Sequence, residues 1–186
     1  MDEKEWAGSV LKLIQGRLKE PNLAISQGSK LPYGSEVLAY TGSEPNKHNT
    51  ISYETDLLIL EQLEADIWKP RVVVEIKLGK ITTHDAITYS EKARTHKNVH
   101  PYLRYGILIG NRQHYPLPGR LFRHGAYFDF MQSWTSGRPS AIELNDFMAM
   151  LFDEVEASRN LEEILYNSRN PNRKRYTLLH RPLRLK

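Results

Sequence analysis

The chain contains no cysteine, which excludes disulfides and cysteine-ligated zinc and makes a reducing, cytoplasmic compartment the expectation. It has no apolar run long enough to cross a membrane as a helix. Its first residues, Met-Asp-Glu-Lys-Glu-Trp, are acidic where a secretory leader would be basic and then apolar, so no membrane partner is expected. Glycine-rich phosphate loops are missing too. The stretch 110–119 begins and ends on glycine but has neither the G-x-x-x-x-G-K-[ST] nor the G-x-G-x-x-G spacing. His48, His96, His100, His114, His124 and His180 make no metal-ligand spacing; His96 and His100 stand four apart, but Asn98 and Pro101 end a helix there. From position 167 onward acidic residues are absent, while Arg169, Arg173, Lys174, Arg175, Arg181, Arg184 and Lys186 crowd the end.

What is present fits one globular domain. The chain has 186 residues, 26% charged and 40% hydrophobic, enough for a sizeable core over 1–186 without a linker or repeat. The expected core covers about 3–130, with C-terminal helices and a basic tail over 141–186. The net charge of +4 permits a polyanionic partner without demanding one.

The informative stretch is 53–77, Y-E-T-D-L-L-I-L-E-Q-L-E-A-D-I-W-K-P-R-V-V-V-E-I-K. Its apolar runs, 57–60 and 72–76, are separated by polar residues and Pro70, which predicts two strands joined as a hairpin. Side chains alternate along a strand, so Val73, Glu75 and Lys77 share one face and Val72, Val74 and Ile76 the other. An acid and an ammonium then sit on a strand otherwise built for burial, where charge must be paired or metal-bound. Across the hairpin Asp56 falls near Glu75. Two converging carboxylates repel, and a hard cation such as Mg²⁺, or Mn²⁺ in its place, relieves that repulsion. The Ile76 carbonyl lies between them as a further oxygen ligand, and Lys77 can hold an attacking water or a developing phosphate charge. The ordinary alternative is an edge strand with one solvated face, on which Glu75 and Lys77 are a surface pair.

Helical spacing of Trp6, Val10, Leu11, Leu13, Ile14 and Leu18 predicts a helix over 3–18, followed by a loop over 21–32. A strand is expected at 36–40, a polar loop at 41–50, then the hairpin. Thr82 or Thr83 is the expected N-cap of a helix over 84–96, with Asp85 in its first turn. A buried strand follows at 105–110, a basic loop at 111–124, a strand at 126–130, and helices at 141–158 and 160–167.

Asp56 and Glu75-Ile76-Lys77 on neighbouring strands, in the order αβββαβ, resemble the PD-(D/E)XK nuclease superfamily of restriction and repair endonucleases. One letter departs: Thr55 stands where the motif has proline. The resemblance covers roughly 3–110. It implies an α/β, restriction-endonuclease-like fold with a mixed central sheet flanked by helices. It also implies Mg²⁺-dependent hydrolysis of DNA phosphodiester bonds, with Asp56 and Glu75 as metal ligands and Lys77 as the third catalytic residue. A helix-borne glutamate joins the metal site in some relatives, which makes Glu5 and Glu20 accessory candidates. Glu54 would share the strand face of Asp56. Asp85 and Tyr89, with His84 beside them, follow the motif on the next helix. Solvation, capping or packing would equally explain all of these.

Arg112, Arg120 and Arg123, and Arg173, Lys174 and Arg175, mix with Tyr, Phe, Asn and Gln, the residue types that hold phosphates and read bases. The small size leans toward a compact type II restriction enzyme, and cutting both strands would be served by a homodimer. The other readings are a catalytically silent nucleic-acid-binding protein on the same fold, a repair or recombination nuclease subunit, and a small interaction domain.

Overall fold

A computed structural model describes residues 2–113, 117–167, 169, 171–172 and 178–179. In chain order they form α1 (Glu3–Gln15), β1 (Leu23–Gln27), β2 (Lys30–Thr41), β3 (Glu44–Glu54), β4 (Leu57–Glu64), β5 (Ile67–Leu78), α2 (Thr83–Val99), β6 (Arg104–Gly110), α3 (Gly119–His124), β7 (Phe130–Ser133) and α4 (Ala141–Tyr166). Five strands make a mixed sheet in the order β1-β4-β5-β6-β7. β1, β4 and β5 run antiparallel in turn, and β6 and β7 join parallel. The parallel pairs need crossovers, which α2 and the α3 segment supply.

The alternation expected for 72–77 decides how the layers form. Leu57, Ile59, Val72, Val74 and Ile76 pack with Trp6, Val10 and Ile14 of α1 and Phe147, Met148 and Leu151 of α4. Leu58, Val73, Tyr105, Ile107 and Ile109 pack on the other face with Ala86 and Ala93 of α2 and Leu121 of α3. The hairpin thus lies mid-sheet, covered on both sides. The reading of β5 as an edge strand with one solvated face fails, because β5 is flanked by β4 and β6.

The strand expected at 36–40 is not the first strand of the sheet. It belongs to β2, which pairs with β3 as a separate two-stranded hairpin. The stretch 41–50, expected as a loop, is mostly β3, turned at Gly42 with φ of +62°. β1 lies inside the stretch expected to be a loop: Leu23 is buried and Ile25 half-buried, so an edge strand with two apolar side chains was hidden among Pro21, Asn22, Ser26 and Gly28. Between α1 and α2 the chain thus forms five strands where three were expected, of which β1, β4 and β5 join the main sheet.

Smaller differences have local causes. Pro70 lies within β5, opposite Leu60 at a register shift, where the ladder has no need of its missing N–H. The basic loop contains α3. The strand expected at 126–130 starts only at Phe130. The two C-terminal helices are one, since Arg159 continues the helix and forms ion pairs with Glu61 and Glu20. Thr82 is the N-cap of α2, closed by a capping box with Asp85. Among the described residues no helix is long and apolar enough to cross a membrane.

Candidate functional site

The site forms where the β4–β5 ladder ends. Leu57 pairs with Val74, so the residues that follow outward are Asp56 and Glu75. Asp56 is fixed from behind by Thr55, which is fully buried. The Thr55 N–H donates to the Ser29 carbonyl at 2.9 Å, its hydroxyl donates to the same oxygen at 3.0 Å, and its carbonyl accepts from Gly28 N–H at 3.1 Å. A proline at position 55 could not donate that N–H bond. The departure from the motif therefore has a structural account: the strap between β1 and β2 uses the donor that proline lacks. Gly28 holds the strap with φ of +70°.

Asp56 Oδ2 accepts from Ile76 N–H at 2.8 Å. The N–H and C=O of one strand residue leave the same edge, so the Ile76 carbonyl turns to the Asp56 side as well. Glu75 has 0% exposure. Its Oε1 accepts from the Tyr105 hydroxyl and lies 3.0 Å from Lys92 Nζ of α2. Its Oε2 is buried and has no hydrogen-bond partner. Burial pushes the Glu75 carboxyl up to about 7, helped by the charge of Asp56 and opposed by Lys92 and Tyr105. The Tyr105 phenol is held well above its ordinary value by burial and then by Glu75.

Lys77, one pleat beyond Glu75, points to a different pair of acids. Its Nζ lies 3.0 Å from Glu3 Oε1 and 3.8 Å from Asp85. Glu3 also accepts from Leu78 N–H at 3.3 Å, which ties the first turn of α1 to the end of β5. A cleft of about 460 Å³ opens here, lined by Glu3, Gln27, Glu54, Asp56, Ile76 and Tyr89 among others. Burial raises the Tyr89 phenol, with Glu75 and Asp56 adding to it.

Of the accessory candidates, Glu54 and Tyr89 line the cleft and Asp85 approaches Lys77. Glu5 does not reach the site, because it closes the capping box of α1 on Asp2. Glu20 pairs with Arg159 at 2.8 Å, at the turn end of the hairpin. Arg112 and Arg120 donate to the carbonyls of Gly79 and Ile81, at 3.5 and 3.1 Å, in the loop after Lys77; Arg123 is exposed on α3. Arg173, Lys174 and Arg175 lie outside the described residues.

Sequence reasoning missed Glu3, Lys92 and Tyr105. Glu3 falls in the helical series with Ala7, Val10 and Ile14, all buried, which marks it as facing inward where Glu5 does not. Lys92 continues the series of Asp85 and Tyr89. No family model and no curated protein matches the chain.

The donor set suits a hard cation. Among the described residues no group of three or more His, Asp or Glu side chains is gathered to hold a metal. Two carboxylates and a backbone carbonyl remain, and Mg²⁺ is ordinarily held by one or two carboxylates, the rest of its shell being water and substrate phosphate. The orphaned Glu75 Oε2 is the atom such an ion would satisfy.

Proposed function

We propose that the chain is a metal-dependent DNA endonuclease with a restriction-endonuclease-like core of the PD-(D/E)XK kind. The observation that carries this reading is Glu75. It is a fully buried carboxylate on a mid-sheet strand, with one oxygen unsatisfied, beside Asp56 on the neighbouring strand and one pleat from Lys77. Buried carboxylate oxygens with a purely structural role are ordinarily paired. The sheet order β1-β4-β5-β6 with β6 parallel to β5, and the placement of α1 and α2 on opposite faces, support the same reading.

In this reading Asp56, Glu75 and the Ile76 carbonyl hold Mg²⁺, or Mn²⁺ in its place. The ion supplies charge neutralisation at the phosphate and lowers the pKa of a bound water. Lys77 orients the attacking water or donates to the pentacovalent phosphate oxygens. Glu3 and Asp85 steady the ammonium until phosphate arrives. Cleavage of both strands by a homodimer, and sequence-specific cutting as in a type II restriction enzyme, extend the proposal. Arg112, Arg120 and Arg123, and the basic tail, are the candidates for phosphate contact.

The test is cleavage of supercoiled plasmid and of long linear DNA by the purified protein in Mg²⁺, with EDTA and Lys77→Ala controls and a parallel RNA sample. Metal-dependent discrete bands lost in Lys77→Ala are the expected result. A smear lost in the variant keeps the nuclease and removes the restriction reading. No cleavage of DNA or RNA in Mg²⁺ or Mn²⁺ favours the second reading, a catalytically silent nucleic-acid-binding protein. One observation leans that way: Lys92 already supplies a cation to Glu75.

A further inference from the structure

A second recess of about 300 Å³ lies beside the cleft, between the base of β3 and α2, lined by Tyr53, Ile87, Thr88, Glu91, Lys92 and Thr95. Tyr53 forms its wall and is 38% exposed. Its ring is stacked on Tyr33 of β2, with centroids 3.8 Å apart and planes within 8°. The buried His96 ring meets the Tyr53 ring edge-on at 5.8 Å. One ring is thus braced by two others and keeps a substantial part of its surface in solvent. Ile87, 49% exposed, adds a second apolar wall from α2. Braced rings of this sort lose little conformational freedom when a flat partner is added.

The position of the recess identifies the partner. Lys92 separates it from the cleft. Its Nζ lies 3.0 Å from Glu75 Oε1, 5.5 Å from the ring centroid of Tyr89 and 5.9 Å from that of Tyr53. Tyr89 and Glu54 line the cleft on one side of this ammonium, and Tyr53 lines the recess on the other. A phosphate at the Asp56 end therefore has, past the Lys92 ammonium, an apolar slot with an aromatic wall. A nucleotide has that same layout: an anionic group and, one sugar away, a flat aromatic base. In a duplex that base is stacked and paired, and its faces are not available.

We infer that the recess between Tyr53 and α2 is a nucleobase subsite, so that the nucleotide next to the scissile phosphate is bound with its base unpaired, in a single strand or drawn out of a duplex. This rests on the nuclease reading of the adjoining cleft. Tyr53 holds the base by stacking, Ile87 and the methyl groups of Thr88 and Thr95 contact its edge, and Lys92 meets the connecting phosphate. Stacking is indifferent to base identity, so the subsite selects an unpaired base and not a sequence.

The experiment measures binding in EDTA, apart from cleavage, by fluorescence anisotropy. The probes are a single-stranded oligonucleotide, the same strand with several adjacent abasic sites, and the blunt duplex. The single strand is expected to bind at least about tenfold tighter than the abasic strand, the scale of one lost base stack. Tyr53→Ala is expected to lose about tenfold on the single strand and nothing on the abasic strand, while Tyr53→Phe retains wild-type affinity. A 2-aminopurine base in the strand should be quenched on binding to wild type and to Tyr53→Phe but not to Tyr53→Ala. Equal binding of intact and abasic strands, or quenching that survives in Tyr53→Ala, overturns the subsite and leaves the nuclease reading standing. Absence of binding to all three probes also overturns the subsite, while the nuclease reading is decided separately by cleavage in Mg²⁺. Ile87→Ala, on an exposed position of α2, repeats the comparison of intact and abasic strands without adding charge or disturbing the stacked rings, and unchanged affinity there also counts against the subsite.

Discussion

The β4–β5 hairpin buries a glutamate at each end. Near the turn, Glu61 accepts from Arg71 Nε at 2.7 Å, from Arg159 at 3.0 and 2.7 Å, and from the Asn22 amide at 3.0 Å. Arg71 passes on to Glu162 at 2.7 Å. Burial would raise the Glu61 carboxyl, but the hydrogen bonds from Arg159 and Arg71 outweigh it and hold the group below its ordinary value. At the open end Glu75 has one ammonium and one phenol, both on Oε1, and burial prevails. The same residue type on the same hairpin is saturated in one place and left short of charge in the other. The Glu61 network locks α4 to the sheet and has no capacity left. The Glu75 end has a vacant oxygen, a neighbouring acid and a cleft, which is what a ligand-binding centre needs.

The comparison breaks most sharply in activity. On the proposed nuclease reading, Lys77→Ala and Asp56→Asn are expected to lose cleavage by roughly a hundredfold or more, the scale of removing one group aimed at transition-state charge. The initial nicking rate of supercoiled plasmid in Mg²⁺ is the measurement. Glu61→Gln, assayed below its melting temperature, should keep near wild-type activity. Equal losses in all three would mean that the two ends are not functionally distinct.

Stability should divide the other way. Glu61→Ala leaves Arg71, whose side chain is only 4% exposed, with Glu162 as its remaining acid among the described residues and strips Arg159 of its nearer acid. Breaking a buried pair from one side costs about 3–5 kcal/mol, which urea denaturation would register as a lower midpoint at unchanged slope. Lys77→Ala is more exposed to water and should cost about 1 kcal/mol or less. A larger loss for Lys77→Ala than for Glu61→Ala would reverse the assignment of roles.

This division also marks what could be read beforehand. The pattern D-L-L-I-L and V-V-V-E-I-K is local: both strands and their facing follow from period two, and the approach of Asp56 to Glu75 from pairing the two as a hairpin. The Glu61 network was illegible because its partners come from Asn22 and from Arg159 and Glu162, about 40 and 100 positions away, and nothing local marks Arg159 as pairing inward. β1 was missed for a similar reason: an edge strand supported by Leu23 and Ile25 becomes visible only when β4 is beside it. The β2–β3 ribbon has no buried face beyond its base, so nothing beyond the strand expected at 36–40 marked it.

A third difference between two buried groups should appear in the pH profile. Glu75, raised to about 7, holds its proton longer folded than unfolded, so its contribution is complete below about 4.5 and lost as pH rises toward 7. His96, lowered to about 4 by burial against the opposing hydrogen bond to the Leu31 carbonyl, contributes fully above about 6.5 and loses that as pH falls toward 4. The windows overlap with opposite sign, so the wild-type protein should be nearly flat from these two groups. Glu75→Gln removes one of them. Its stability should then climb by about 2 kcal/mol between pH 4.5 and 6.5, read from urea midpoints. A wild-type profile that climbs as steeply as the variant's would show that Glu75 is ionised and compensated like Glu61.

The smallest effect is the most diagnostic of what the open end awaits. Lys92 Nζ stands 3.0 Å from Glu75 Oε1, where an incoming divalent cation would meet a charge of its own sign. At Glu61 two guanidiniums share the carboxylate, and removing either leaves the other in place. At Glu75 the ammonium is alone, so its loss uncovers the acid. Lys92→Met, which keeps the length of the stem, should tighten Mg²⁺ or Mn²⁺ binding about five- to tenfold, as loss of a like charge screened at a water-like dielectric would allow. Lys92→Arg should leave it unchanged. Titration calorimetry with the metal alone reads the affinity, and the rise in melting temperature with Mg²⁺ gives the same quantity by mass action. Weaker binding in Lys92→Met would mean that the ammonium orients Glu75 toward the ion and does not compete with it.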